Sequence, residues 1–270
     1  MKKILTKIID KNWLNVDITL DCGQAFRWEK LPGGSMHGVA FGRSLTVSET
    51  EDKIILENCG EEDFENIWRG YFDLDRDYEK ICEGFSSDPA LREAVAFCPG
   101  IRILRQEPWE ALCSFIISQN NNIPRIKGII GRLCRALGDD LGDGDFSFPG
   151  AERIARAGEE ALAPLRAGFR TKYIIDAARK VAGGEVDFDK INSLDDEQAA
   201  QELKKIKGVG DKVAACALLY GFGRVDCLPV DVWVKRILSE TYPEGLPACT
   251  EGVRGIAQQY LFHWRRNRDN

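Results

Sequence analysis

The spacing of apolar residues changes near residue 60. From residue 12 to about 58, apolar and polar positions alternate in short runs, which is typical of strands with one buried face. Leu14, Val16, Ile18 and Leu20 form the first run, and further runs cover residues 24–29, 38–41, 44–47 and 53–56. Pro32-Gly33-Gly34 and Gly42-Arg43 are typical of turns between such strands. This part of the chain is therefore predicted to form an antiparallel sheet.

From Glu61 onward the apolar residues follow the period of a helix. The predicted helices cover residues 61–72, 77–84, 88–97, 107–119, 123–137, 171–182, 194–206 and 250–264. The Gly- and Asp-rich residues 138–150 are predicted to form a long loop. A sheet followed by many helices is the order of an α+β protein. We predict a sheet domain with flanking helices over residues 1–92 and a helical domain over residues 93–270.

Composition and charge narrow the possible classes. The first ten residues contain no long apolar run before Asp10, and no later stretch approaches a membrane span, so we expect a cytosolic protein. The nine cysteines include no CxxC pair, so we expect reduced, mostly buried thiols and no zinc site. The net charge is −6, but residues 101–135 and 204–238 each carry a net charge of +4. These two segments could together face the phosphates of a nucleic acid, although a solvated charge pattern without function stays open.

Residues 204–238 contain the pattern on which the functional prediction depends. Ile206-Lys207-Gly208-Val209-Gly210 lies between two helical runs, and its two glycines allow a tight turn. The sequence therefore predicts a helix-hairpin-helix, in which Gly208 and Gly210 contact phosphate and Asp211 caps the second helix. Lys212 then lies in the first turn of that helix.

Lys212 and Asp231 are the predicted catalytic residues. The partial positive charge at a helix N-terminus disfavours a protonated amine, so Lys212 is expected to be available as a neutral nucleophile. Pro229-Val230-Asp231 is predicted to begin another helix, whose N-terminus favours the Asp231 carboxylate. A nucleophilic amine beside a carboxylate suits chemistry at a carbon that develops positive charge. The alternative is that Lys212 is an ordinary solvated surface residue.

Several motifs together resemble those of one protein family. They are GQAFRW at residues 23–28, LRQEPW at 104–109, SQNNNI at 118–123, GFR at 168–170, and the hairpin with Lys212 and Asp231. With them the chain resembles the 8-oxoguanine DNA glycosylase/lyases of the helix-hairpin-helix superfamily over nearly its whole length. The resemblance implies a sheet domain packed on two helical lobes, with the active site in the cleft between the lobes. It also implies double-stranded DNA containing 8-oxoguanine as the partner.

The resemblance also implies roles for individual residues. Lys212 would form a Schiff base after attacking the sugar, and Asp231 would stabilise the cationic sugar. The carbonyl of Gly23 would accept a hydrogen bond from the N7–H of the oxidised base, while Cys216, Gln258 and Phe262 would line its pocket. The residues facing the opposite cytosine would be Asn120, Arg125, Phe169 and Arg170. On sequence alone, Gly23, Gln258 and Phe262 could equally be ordinary strand and helix residues, and the asparagine run could simply end a helix.

Two positions depart from the eukaryotic members of the family. Trp233 replaces a histidine two residues after the aspartate, and Arg265 replaces an acidic residue. Together with the absence of a C-terminal four-cysteine cluster, this favours a prokaryotic-type monomer of the cytoplasm or nucleoid. No cofactor or catalytic metal is expected, although the backbone near Ile206 and Val209 could bind a structural cation. Two alternatives stay open, an alkyl-purine glycosylase of the same superfamily and a non-catalytic DNA-binding module.

Overall fold

The computed structural model describes residues 5–268, so residues 1–4 and 269–270 of the two predicted domains lie outside it. The order of elements is a sheet followed by helices, which confirms the α+β prediction. The sheet has five antiparallel strands in the order β1-β5-β4-β3-β2. These strands are β1 (Thr6–Asp10), β2 (Trp28–Lys30), β3 (Met36–Ala40), β4 (Arg43–Glu49) and β5 (Lys53–Glu57). Both predicted turns are present, between β2 and β3 and between β3 and β4.

The strand predicted from Leu14 to Leu20 is wrong. Residues Val16–Asp21 form helix α1, whose N-cap Asn15 accepts a hydrogen bond from the backbone N–H of Ile18. The buried residues of α1 are Val16, Thr19 and Leu20, which follow the spacing of a helix face and not the alternation of a strand. One edge of the sheet is formed instead by β1, which the sequence pattern did not predict.

The remaining helices follow the predicted order, with two additions. The predicted helix over residues 61–72 is present as α2 (Glu61–Asp63) and α3 (Arg69–Tyr71), joined by a π-helical turn (Phe64–Trp68). The others are α4 (Tyr78–Phe85), α5 (Pro89–Phe97), α6 (Pro108–Ser118), α7 (Ile123–Leu137), α8 (Ala151–Leu162), α9 (Arg170–Ala182), α10 (Phe188–Ser193), α11 (Asp196–Lys204), α12 (Asp211–Gly221), α13 (Val232–Thr241) and α14 (Arg254–Asn267). Helices α8 and α10 were not predicted. The predicted loop 138–150 contains a short hairpin of β6 (Asp140–Gly142) and β7 (Asp145–Phe146).

Two clusters of buried side chains form the interior. The sheet packs against α1 and the residues 64–72 around Trp28, Trp68 and Tyr71, and the indole N–H of Trp28 donates to the hydroxyl of Tyr71 at 2.7 Å. The larger cluster joins the helices and includes residues of α6, α9, α12 and α14. Phe26, from the segment that leads into β2, belongs to this second cluster. That segment therefore fixes residues of the N-terminal part against the helical core.

Nine cysteines are present and all have free thiols, eight of them buried, which confirms the prediction of mostly buried thiols. Within residues 5–268 no helix is long and apolar enough to span a bilayer. The same residues contain no group of three or more His, Cys, Asp or Glu side chains that could hold a metal ion.

Candidate active site

The predicted helix-hairpin-helix is formed by α11 and α12. Gly208 has a φ of 83°, and a Cβ at this position would lie 2.3 Å from a ring carbon of Tyr173. Both the backbone conformation and the close ring contact therefore require glycine here. Gly210 faces open space and is the N-cap of α12. The turn thus presents an uncovered backbone at the N-terminus of α12, as a phosphate contact would require.

The expectation that Asp211 caps α12 is wrong. The first hydrogen bond of the helix runs from the N–H of Ala214 to the carbonyl of Gly210 at 3.0 Å, so the helix begins one residue earlier than predicted. Asp211 is consequently the first helical residue, and its exposed carboxylate pairs with Lys204 at 2.8 Å. Lys212 keeps its predicted place in the first turn.

Lys212 has no ion-pair partner among residues 5–268. Its ammonium group lies 5.9 Å from the ring centroid of Phe115 and is partly buried at the N-terminal end of α12. A lysine at a helix N-terminus, without a carboxylate partner, is accessible to a ligand in the groove and in the slot that it lines. This is the environment expected for an amine that acts as a nucleophile.

Asp231 is the N-cap of α13, as predicted. Its Oδ1 accepts hydrogen bonds from the backbone N–H groups of Trp233 and Val234, both at 2.9 Å. These two bonds and the helix N-terminus stabilise the carboxylate. Because Oδ1 makes both bonds, the charge of the second oxygen is available to a neighbouring group. Asp231 and Lys212 line the same two cavities, so the structure brings the predicted catalytic pair together.

The first of these cavities is a wide groove of about 1000 Å³. Its lining includes Gly210 of the hairpin, Asn120 and Phe169, so residues from three separate motifs meet along one surface. The exposed Lys235 of α13 also faces the groove. A groove of this volume, with lysines and a helix N-terminus along it, fits a nucleic-acid backbone.

The second cavity is a narrow slot of about 60 Å³. All four predicted base contacts line it together with the catalytic pair, namely Gly23, Cys216, Gln258 and Phe262. Gln258 is only 5% exposed, and its Oε1 has no hydrogen-bond partner among residues 5–268. A buried acceptor without a donor is costly, which indicates that a donor from a ligand completes the site.

Cys216 lies one helical turn after Lys212 on α12. Burial raises the pKa of the Cys216 thiol to about 12, although the charge of Lys212 lowers it in part. The thiol is therefore neutral at physiological pH and does not compete with Lys212 as a nucleophile. Its polarisable sulfur forms part of the wall of the slot.

The conformation of Gly23 is fixed by its neighbour Gln24, a residue that the sequence analysis did not single out. Gly23 has a φ of 92°, which other residues rarely adopt. The fully buried side chain of Gln24 donates to the carbonyls of Thr19 and Arg102 at 2.9 and 2.8 Å and accepts from the N–H of Leu104 at 2.9 Å. The position of this glutamine, next to the predicted recognition glycine in the GQAFRW motif, was the sequence feature from which its role could have been predicted. Gln24 thus holds the Gly23 backbone in place.

The three asparagines between α6 and α7 have different tasks. The side chain of Asn122 caps α7, accepting from the N–H of Arg125 at 3.0 Å, and that of Asn121 donates to the carbonyl of Ile117 at 3.1 Å. Asn120 has a left-handed φ of 47° and is exposed to the groove. Two of the three residues therefore build the turn, and Asn120 is left to contact a ligand.

Phe169 and Arg170 lie next to Asn120, and Arg125 follows in the first turn of α7. Phe169 is 51% exposed, and its ring packs against the guanidinium of Arg170, 4.5 Å from the ring centroid. Arg170 itself is buried and donates to the carbonyls of Gln119, Asn120 and Ala167. Arg125 is exposed. The contact of Arg170 with an opposite cytosine stays a prediction, because in this structure its guanidinium holds the turn that carries Asn120.

The two departures from the eukaryotic pattern each have a partner of their own. Trp233 stacks with Arg236, whose guanidinium lies 5.5 Å from the ring centroid, and Arg265 pairs with Glu240 at 3.1 Å. Trp233 and Arg265 therefore each interact with a different side chain of α13.

The basic segments contribute less surface charge than their sequences indicate. Arg102 is buried and donates to four backbone carbonyls, and Arg132 donates to the carbonyl of Leu165.

In the hairpin, the carbonyl of Ile206 accepts from the N–H of Val209 at 3.0 Å. A carbonyl oxygen has a second lone pair, so this backbone fits the predicted cation, which stays a prediction. Its role would be to neutralise a nearby phosphate.

Comparisons with known proteins agree with this arrangement. Residues 7–112 match the family described as 8-oxoguanine DNA glycosylase, N-terminal domain, and residues 113–245 match the HhH-GPD superfamily base excision DNA repair protein. The N-glycosylase/DNA lyase of Saccharomyces cerevisiae is 34% identical over 264 residues, which are 87% of this chain and 70% of the yeast protein. An Arabidopsis thaliana relative is 29% identical over 83% of this chain and 65% of its own length.

A solved structure with the same fold is the Clostridium acetobutylicum 8-oxoguanine glycosylase/lyase in complex with DNA containing cytosine opposite 8-oxoguanine. Its TM-score is 0.90 with 35% sequence identity, and the match covers 100% of this chain and 99% of that one. Fold, hairpin and sequence similarity agree over both halves of the molecule. The chain therefore belongs to the 8-oxoguanine DNA glycosylase family of the helix-hairpin-helix superfamily.

Proposed function

We propose that this protein excises 8-oxoguanine from duplex DNA through a covalent intermediate on Lys212 and then nicks the strand. The observation that carries the proposal is that Lys212 and Asp231 form the wall shared by the wide groove and the narrow slot. DNA in the groove and a base in the slot would place the connecting sugar beside both residues. That is where glycosidic bond cleavage requires a nucleophile and a negative charge.

The slot supports recognition of an oxidised guanine. The Gly23 carbonyl accepts a hydrogen bond from N7–H, a donor that oxidation creates and that guanine lacks. The unpartnered Oε1 of Gln258 accepts from an N–H on the opposite edge of the base. The slot has a volume of about 60 Å³, and we expect it to widen when a purine enters. Phe262 is only partly buried, so we expect its ring to be the wall that moves.

The chemistry follows from the two shared residues. The lone pair of neutral Lys212 forms a bond to the anomeric carbon, the bond from that carbon to N9 breaks, and its electron pair leaves with the base, which takes up a proton. Asp231 stabilises the positive charge that develops on the sugar. Opening of the sugar ring gives a Schiff base. Loss of a proton from C2′ then expels the 3′ phosphate and nicks the strand.

Removal of a base from the stack costs a few kcal/mol and leaves a gap in the duplex. Asn120 fills this gap, Phe169 wedges into the adjacent step, and Arg125 donates to the acceptor edge of the opposite cytosine. Cytosine presents O2 and N3 as neighbouring acceptors, which an arginine matches. We further propose that the protein acts as a monomer in the cytoplasm, on the DNA of the nucleoid.

Borohydride trapping tests this function directly. Reduction joins the protein to DNA only if a Schiff base forms, so we expect trapping on duplexes with 8-oxoguanine opposite cytosine and none on undamaged duplexes. The matched control is Lys212→Gln, which we expect to release no base and to give no trapping. It should still bind lesion DNA within about tenfold, or about 1.4 kcal/mol, because Lys212 is one of several basic groups facing DNA.

The alternatives give different results in the same assay. An alkyl-purine glycosylase would release 3-methyladenine without trapping, since it does not need Lys212. A non-catalytic module would bind DNA and release no base. Release of 8-oxoguanine by Lys212→Gln at nearly the wild-type rate would refute Lys212 as the nucleophile.

A further inference from the structure

The inner end of the base slot contains a polar pair that the proposed mechanism does not use. Tyr220 and Gln259 both line the slot, and both are almost completely buried, at 5% and 2% exposure. The Tyr220 hydroxyl donates to Oε1 of Gln259 at 2.6 Å. The amide nitrogen Nε2 of Gln259 has no hydrogen-bond partner among the described residues 5–268. The slot therefore contains an unpaired donor as well as the unpaired acceptor of Gln258.

The helices explain why this pair lies at the inner end. Lys212, Cys216 and Tyr220 follow one another at intervals of four residues on α12, so they share one face of the helix. Tyr220 is about 12 Å farther along the helix axis than Lys212. A base whose sugar lies beside Lys212 points its far edge toward Tyr220. Gln258 and Gln259 meet this edge from α14.

The hydroxyl of Tyr220 sets the orientation of the Gln259 amide. With Oε1 of Gln259 accepting from the tyrosine, Nε2 is directed to the remaining side. The Tyr220 ring is itself fixed, because it stacks on Phe115 with ring centroids 5.1 Å apart and planes at 17°. A rigid support for one amide group is typical of a recognition contact.

The polarity of the pair matches one class of base. On its far edge guanine, oxidised or not, presents the O6 acceptor beside the N1–H donor, whereas adenine presents an N6 amine beside the N1 acceptor. A donor on Gln259 and an acceptor on Gln258 therefore complement a 6-oxopurine. The same two groups would face adenine-type bases donor to donor and acceptor to acceptor.

We propose that Gln259, oriented by Tyr220, is a specificity-determining residue whose Nε2 donates to the O6 carbonyl of the flipped base. This inference rests on the proposed function. Gly23 distinguishes an oxidised purine from an unoxidised one, and Gln259 distinguishes an oxidised guanine from an oxidised adenine. The two properties are read at neighbouring atoms, N7 and O6, of the same base.

The test compares single-turnover excision of three bases placed opposite cytosine, 8-oxoguanine, 8-oxohypoxanthine and 8-oxoadenine. Gln259→Leu removes the donor, and we expect it to excise both 6-oxo bases about tenfold to hundredfold more slowly, the loss of one buried hydrogen bond. Excision of 8-oxoadenine should be unchanged or faster. Tyr220→Phe releases the amide from its fixed orientation and should lower the same ratio of 8-oxoguanine to 8-oxoadenine excision.

Tyr260→Phe is the matched control. It removes another buried tyrosine hydroxyl, which donates to the carbonyl of Ile101 at 2.9 Å from the same helix but outside the slot. We expect the ratio of rates to stay unchanged in this variant. Borohydride trapping of every variant on a preformed abasic site, where no base occupies the slot, checks that the fold and Lys212 are intact.

The outcomes distinguish a failure of this inference from a failure of the proposed function. If the wild-type protein is not trapped on 8-oxoguanine, the proposed function fails. If it is trapped but Gln259→Leu slows all three bases equally, Gln259 only supports Tyr220 and the inference is overturned. A loss on 8-oxoguanine without a loss on 8-oxohypoxanthine would place the contact at the 2-amino group and would also overturn it.

Discussion

Replacement of Arg125 by methionine should relax the choice of base opposite the lesion. Of the two predicted arginine contacts to the cytosine, Arg170 already donates to the carbonyls of Gln119, Asn120 and Ala167, so we expect Arg125 to carry most of the preference. Arg125 is the exposed one of these two arginines. Opposite thymine, its donors would face N3–H, which is itself a donor.

The size of the preference for cytosine follows from the cost of one mismatched contact. Each mismatched contact costs about 1–3 kcal/mol, so the wild-type preference for cytosine over thymine should be about fivefold to 150-fold from Arg125 alone. Arg125→Met should remove most of that factor. Excision opposite cytosine should slow, while excision opposite the other three bases should change little.

Single-turnover excision of 8-oxoguanine opposite C, T, G and A measures the preference in both proteins. Arg135→Met is a suitable control, because Arg135 is also an exposed arginine of α7 but lies near the other end of the helix, far from the turn that carries Asn120. If Arg125 instead contacts a phosphate, its loss weakens binding to all four duplexes equally and makes the salt dependence shallower. An unchanged preference profile would refute the assignment of Arg125 to the cytosine.

Three further outcomes follow from the geometry of the site and the core. Asp231→Asn keeps the cap of α13 but loses the charge, so base release should fall by about 10²- to 10³-fold, with Schiff-base formation at a preformed abasic site hurt less; equal losses on both substrates would contradict the division of roles. Gln24→Leu removes the Gln24 partner of the Leu104 N–H and of the Arg102 carbonyl and leaves the Thr19 carbonyl with the weak thiol donor of Cys22, so urea unfolding should show a loss of at least about 2 kcal/mol, whereas the exposed Gln198→Leu should change stability by less than about 0.5 kcal/mol. Thiol titration of the native protein should find one fast-reacting cysteine, the partly exposed Cys249, and nine after denaturation, since the other eight are buried; a second fast thiol would contradict the burial.

The sequence was most informative where local chemistry decides the structure. Asp231 caps a helix in the protein as predicted, because capping depends on a few neighbouring residues. Helix α7 has the predicted bounds because its apolar stripe and its glycine at the C-terminus are both visible in the sequence. Family motifs, and not periodicity, brought Gly23, Gln258 and Phe262 into the predicted site.

Other features depended on contacts that a linear sequence does not show. The alternation around Val16 fits a strand as well as a short helix, and only burial against the sheet selects the helix. Arg170 appeared suited to contact DNA, but burial directs its guanidinium to nearby carbonyls. The Tyr220–Gln259 pair joins residues 39 positions apart on two helices, and no local pattern relates them.

The narrowness of the base slot sets how the protein surveys DNA for rare lesions. In the proposed function, a base that leaves the stack would displace a wall of this small slot before its sugar reaches Lys212, and guanine would meet the same walls as 8-oxoguanine. Both bases would recover part of this cost through Gln258 and Gln259, and only the oxidised base would gain the further bond to the Gly23 carbonyl. A normal guanine would then return to the helix before the covalent step, so dwell time in the slot, more than binding strength, would protect undamaged DNA. A wider slot would bind the lesion with less strain, but it would also hold normal guanines long enough to cut them.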